Sequence, residues 1–202
     1  MIQFYKPNPR NTGAACSFNV SAKDSCVYVN YIKQASWDAK KKIGKFASKD
    51  SSAKGVFKLS ATEVGSILHC IDSNDEFSAY HDSPRQIVKM KFCPYMKDEK
   101  QLGYSFAVTR DDKEDTSKRT SFLIGFYFGE AKALREYLVL SLRHIFERNI
   151  KEAIKKAVNT NAEKAPVKKE EPKEEPKEEP KEEDDGLLED DSTGAGDEED
   201  PW

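Results

Sequence analysis

Apolar and polar residues alternate along much of the first 130 positions, and each alternating run is bounded by a polar turn. ACSFNV (15–20) and SCVYVNYI (25–32) read as two strands of a hairpin closed by Ala22, Lys23 and Asp24. EFSAYHD, RQIVKMKF, LGYSFAVT and TSFLIGFYF read as four more strands, with DDKEDTSK as the plainest turn between them. In RQIVKMKF the alternation places Val88, Met90 and Phe92 on a dry face and Ile87, Lys89 and Lys91 on a basic one. Twice the period changes from two to between three and four. Ser60-Ala61-Thr62-Glu63 is a capping-box pattern ahead of Val64, Ile67, Leu68 and Ile71, which predicts a short helix over about 61–71. From Gly129 to about Lys156, Leu134, Tyr137, Leu138, Leu142, Ile145 and Phe146 form the stripe of a long amphipathic helix. WDAKKKIGKFASKDSSAKG (37–55) is too rich in Lys, Ser and Gly for core and is expected to be a mobile loop or an irregular edge. Strands, a short helix, four strands and a long helix make an α+β pattern.

Composition divides the chain in two. Of 202 residues, 37% are hydrophobic and 34% charged, which suits one domain with a tail. Residues 163–202 hold 18 Asp and Glu against 6 Lys, a net of −12, whereas residues 1–162 carry 27 basic against 18 acidic side chains, a net of +9. The expected division is a folded basic domain over 1–157 and a disordered acidic tail over 158–202. In the tail, Lys-Glu-Glu-Pro recurs and Pro at every fourth position interrupts any helix, while too little apolar surface is present to offset the ordering entropy. No run of about 18 apolar residues exists and the first residues lack the pattern of a signal peptide, so a non-membrane, cytoplasmic protein is expected. Cys16, Cys26, Cys70 and Cys93 show no CxxC pair and are expected to be reduced, small apolar residues.

FKLSATEVGSIL, followed by YHD, VKMKF, GYSFAV and a helix at GEAKALREYLVLSLRHI, resembles the Whirly family of single-stranded-DNA-binding proteins over roughly residues 1–150. The most specific part is LSATEVGS followed by YHD. The resemblance implies two four-stranded antiparallel sheets, each followed by a helix, with protomers joined through their helices into a tetramer and DNA lying across sheet edges. The family's Lys-Gly-Lys-Ala-Ala-Leu signature aligns with Asn11-Thr12-Gly13-Ala14-Ala15-Cys16, where both lysines are missing. The end of the chain, Asp197, Glu198, Glu199, Asp200, Pro201 and Trp202, resembles the acidic tail and aromatic tip of bacterial and phage single-stranded-DNA-binding proteins. That combination suggests a phage or other mobile-element protein, acting in the host cytoplasm.

Sequence-tolerant binding of single strands needs cations that track phosphates and aromatic rings on which bases stack. The candidates are Tyr5, Lys6, Tyr28, Tyr31, Lys33, Trp37, Lys40, Lys42, Lys45, Lys89, Lys91 and Tyr95. Alternation puts Tyr28 and Tyr31 on opposite faces, so one of them belongs to the core. Trp37 either stacks on a base or caps the sheet, Tyr95 either stacks or covers the core edge, and the two β-strand lysines either contact phosphate or are merely solvated. The tail is either solubilising or a peptide that docks on replication and recombination proteins through Trp202, its charge competing with DNA for the basic groove. No Gly-rich phosphate loop and no metal-ligand spacing is present, and the adjacent His69 and Cys70 cannot face each other on a helix, so no enzyme, metal or cofactor is expected. The sequence thus predicts a homo-oligomeric protein that coats single-stranded DNA during replication, recombination or repair. The rival readings are a transcription regulator that binds promoter DNA and an RNA-binding protein of the same fold.

Overall fold

A computed structural model describes residues 1–115 and 119–163, with side chains through residue 159. The acidic stretch, including the six residues from Asp197 to Trp202, lies outside the described residues. The hairpin read from 15–32 is present as β2 (Ala14–Ser21) and β3 (Cys26–Asp38), paired antiparallel from Ala14↔Lys33 to Ser21↔Cys26. β1 (Ile2–Lys6) adds to the free edge of β2, and β5 (Lys54–Ser60) pairs with β3 from Cys26↔Ser60 to Ile32↔Lys54. The second sheet is an antiparallel meander of β6 (Phe77–Asp82), β7 (Gln86–Lys97), β8 (Lys100–Asp112) and β9 (Arg119–Tyr127). Each sheet is followed by a helix, α1 (Ala61–Ser73) after the first and α2 (Phe128–Glu163) after the second.

The basic stretch after Trp37, expected as a mobile loop or an irregular edge, forms an edge hairpin of the first sheet. β3 continues past a bulge at Gln34/Ser36 and pairs with β4 (Ile43–Phe46), so the lysines ride on a hairpin and the first sheet has five strands rather than four. Asp38 closes the turn by accepting the backbone N–H groups of Lys40 and Lys41, both at 3.0 Å. The buried Gln34 fastens the hairpin's base. Its amide accepts from Asn8 N–H at 2.8 Å and donates to the carbonyls of Asn8 and Ser36, tying the β1–β2 loop to the β3 bulge.

Helix α1 starts where the capping box places it. Ser60 Oγ accepts from Glu63 N–H while the Glu63 carboxylate accepts from Ser60 N–H, and Asn74 in the left-handed conformation ends the helix. Helix α2 runs to Glu163, beyond the expected stop near Lys156, because no proline occurs before Pro166. No helix among the described residues is long and apolar enough to cross a membrane.

The dry face of β7 is buried as the alternation requires, with Val88 at 5%, Met90 at 3% and Phe92 at 0% exposure. It joins Phe106 and Phe126 from the same sheet, Phe18 and Val29 from the other, Val64 and Ile67 from α1, and Leu134 and Leu138 from α2 in one core. Aromatic contacts cross between the sheets at Phe4–Phe126 and Tyr31–Phe122, each with ring centroids 4.8 Å apart. Such pairs add about 0.5–1.5 kcal/mol beyond area burial.

Candidate nucleic-acid interface

Burying one face of each sheet leaves the other outside, and strand pairing aligns its side chains in rows. On the first sheet, pairing puts Tyr5, Ala15, Ile32 and Lys54 in one row and Gln3, Ser17, Asn30 and Val56 in the next. A third row holds Asn19, Tyr28 and Lys58, with the ammonium of Lys58 5.3 Å from the Tyr28 ring centroid. Tyr5 is well exposed, its hydroxyl donates to Gln3 at 2.9 Å, and its ring meets the edge of Phe46 on β4. Tyr5, Ser17, Asn30, Ile32 and Lys54 line a trough of about 640 Å³.

The second sheet repeats the pattern. Tyr80, Lys89, Thr109 and Ser121 form one outward row, and Ser78, Lys91, Ala107 and Leu123 form its neighbour. Tyr80 and Leu123 are more than half exposed, and Lys89 has no carboxylate partner among the described residues. Lys91 does have one, Glu76 at 2.7 Å, whose hydrogen bond holds the ammonium's pKa above its ordinary value. A hollow of about 430 Å³ adjoins these rows, lined by Lys6, Arg10, Tyr95, Leu123 and Tyr127 among others. There Lys6 sits 4.6 Å from the Tyr127 ring centroid and is held by the carboxylate of Glu130, which also accepts Tyr127 N–H at 2.8 Å.

Tyr5, Tyr28, Lys89, Lys91 and Tyr95 therefore stand on outward faces. Tyr31 does not: it shares the parity of Val27 and Val29, is 4% exposed, and packs on Phe57 and Phe122 as a core ring. Lys33 has the same inward parity, is half-buried beside the β3 bulge, and lines neither hollow. Lys6 reaches the surface already neutralised by Glu130. Trp37 is half-buried opposite Gly44, and the exposed Lys40, Lys42 and Lys45 lie on the β3–β4 hairpin, whose Phe46 meets Tyr5, and not in the rows of Tyr5 and Tyr28. Sequence reading missed Tyr80, Leu123, Tyr127, Lys54 and Lys58. The signal for Tyr80 was present in the alternation of FSAYHD, whose partner across the sheet is Lys89.

No protein-family model matches the sequence, and no curated protein matches it. Solved structures do match. The chain is similar to the crystal structure of WHY1 from Arabidopsis thaliana, with a TM-score of 0.54 at 16% identity over 81% of this chain and 93% of that one. It is also similar to WHY3 from the same plant, with a TM-score of 0.53 at 17% identity over 81% of this chain and 96% of that one. The chain has the Whirly fold. In this version of the Whirly fold the hairpin through β4 extends the first sheet, and both outward faces carry a tyrosine paired across the strands with a lysine, Tyr28 with Lys58 and Tyr80 with Lys89.

Proposed function

We propose that the protein binds single-stranded DNA without catalysis and coats it with little sequence preference. The carrying observation is the tyrosine–lysine pairing on both outward sheet faces. A ring offers any base a stacking surface at about 1–3 kcal/mol per base, and the lysine beside it meets the phosphate. Neither group reads base edges, so the contact tolerates sequence. The +9 charge of residues 1–162 supports the same reading through counterion release, which makes affinity fall with salt.

The protein works as a homo-oligomer in the cytoplasm, in replication, recombination or repair. Support for self-association comes from α2, whose residues beyond Ile145 are exposed through Asn159 and present Phe146, Ile150, Ile154 and Val158 at four-residue intervals. An uncovered apolar strip of this kind marks a contact surface. The acidic segment ending in Pro201 and Trp202 recruits partner enzymes, its indole entering an apolar pocket and its carboxylates pairing with a basic rim.

The test is a fluorescence-anisotropy titration of the full-length protein against a labelled single strand of mixed sequence, its duplex and the matching RNA at two salt concentrations. A salt-sensitive preference for the DNA strand is expected. Equal affinity for single strand and duplex overturns the coating role, a preference for RNA reassigns the partner, and preference for a promoter sequence indicates transcriptional regulation.

A further inference from the structure

The trough on the first sheet does not end at β5. Ser51, Gln86 and Arg110 line it at one end, and the same three residues line a second cleft of about 620 Å³ at the joint between the sheets. Three arginines come to that cleft from separate places in the chain. Arg85 lies in the β6–β7 turn, Arg110 near the end of β8, and Arg119 at the start of β9. The joint is fastened by the buried Thr120, whose hydroxyl donates to the carbonyl of Ser52 at 3.2 Å, while Lys113 N–H donates to the carbonyl of Arg85 at 2.9 Å and so extends the β7–β8 ladder to the turn that carries Arg85.

The acidic groups nearby cancel this charge only in part. Asp111 takes Arg119 at 3.2 Å, and Asp112, which also lines the cleft, has one oxygen occupied by the N–H groups of Glu114 and Asp115. Arg85 and Arg110 have no carboxylate partner among the described residues. Two guanidinium groups without an ion-pair partner among the described residues, beside a hollow that opens onto an aromatic trough, match the chemistry of a phosphate. The planar fork of arginine donates two parallel hydrogen bonds to phosphate oxygens, which a lysine cannot do.

We propose that the Arg85–Arg110–Arg119 cleft is a phosphate site that holds the backbone of a DNA strand whose bases lie in the adjoining trough. The proposal rests on the single-strand reading above and adds a path to it. Across the first sheet, Tyr5 and Lys54 lie about 14 Å apart, three inter-strand spacings. The DNA crosses this row and turns at the joint, where the arginines anchor it. Its route then leads off the first sheet instead of ending at the sheet's edge.

Oligo(dT) binding by the full-length protein tests this as a function of salt. Each phosphate contact contributes about 0.7 to the slope of log affinity against log salt for single strands, so Arg85→Gln with Arg110→Gln is expected to make the slope shallower by about 1.4. Lys132→Gln with Arg143→Gln, which removes two exposed charges from α2, is expected to keep the wild-type slope. Arg85→Glu alone, on an exposed turn, serves if the double variant fails to fold and is expected to weaken binding most at low salt. An unchanged slope in the arginine variants, with oligo(dT) still bound, overturns the phosphate site and leaves the single-strand reading standing. An equal drop in the α2 control also overturns it, as a general charge effect. Failure of the wild type to bind oligo(dT) overturns both.

Discussion

Gly103 stands at φ +150°, and a Cβ there would lie 1.9 Å from the carbonyl oxygen of Phe126 on the neighbouring strand. The position lies at the register shift between β7 and β8, where Tyr95 pairs with Gly103 and Met96 with Gln101. Both backbone conformation and space exclude a side chain, so Gly103→Ala is expected to destabilise the fold by about 2–3 kcal/mol in chemical denaturation. The cysteines illustrate a different residue-scale effect. Burial, helped by the nearby carboxylates of Asp75 and Glu76, pushes the Cys70 thiol up to about 11, and burial likewise raises Cys16 and Cys26. A thiol that stays protonated is a poor nucleophile, so these three are expected to resist maleimide at pH 8 in the native protein and to react once it is unfolded. Mass spectrometry of the labelled cysteines checks this.

Helix α1 depends on its first turn. Burial pushes the Glu63 carboxyl up, but hydrogen bonds from Ser60 N–H, from His81 Nε2 at 2.6 Å and from the Ser60 hydroxyl outweigh it, and the net pKa lies below the usual carboxylate value. A carboxyl depressed in the folded state stabilises the protein above its unfolded pKa, and that stability is lost as pH falls through the folded value. Thermal melts across the acid range should therefore show stability declining below about pH 4, and Glu63→Gln should flatten that decline. Ser60→Ala, which removes the cap from the same turn, is expected to cost about 1 kcal/mol at neutral pH. The ion pair of Arg135 with Asp72 at 2.6 Å links α2 to α1, but both side chains are substantially exposed and the contact adds little in solvent.

At the scale of the molecule, the feature left uncovered is α2. Its 36 residues extend about 54 Å at 1.5 Å per residue, and residues 146–159 have no core beneath them. A helix this polar on average holds its shape through packing more than through propensity, which is the reason to expect a second copy along the Phe146, Ile150, Ile154 and Val158 strip. Ile150→Glu with Ile154→Glu is expected to lower the oligomeric state, read by size-exclusion chromatography with light scattering, and to weaken DNA binding through lost avidity. An unchanged mass would remove α2 as the contact.

The β2–β3 hairpin, the four strands of the second sheet, both helices and the dry face of β7 were legible in the chain because each rests on a period of two or between three and four, whereas β1, β4 and β5 carried no such signal and the two-sheet arrangement came from the family resemblance. The capping box of α1 was legible as well, since all its partners lie within four residues. Other features depended on residues distant in the chain. Tyr31 and Tyr28 were known to face opposite ways, but only the approach of Phe122 from the second sheet makes Tyr31 the buried one. The lysine-rich stretch became β4 because Gln34 and the extended β3 gave it a partner, a pairing that composition does not reveal. The tyrosine–lysine rows and the arginine cleft arise from strand register and from the joint between the sheets. Those are long-range contacts, and no spacing along the sequence encodes which side chains they bring together.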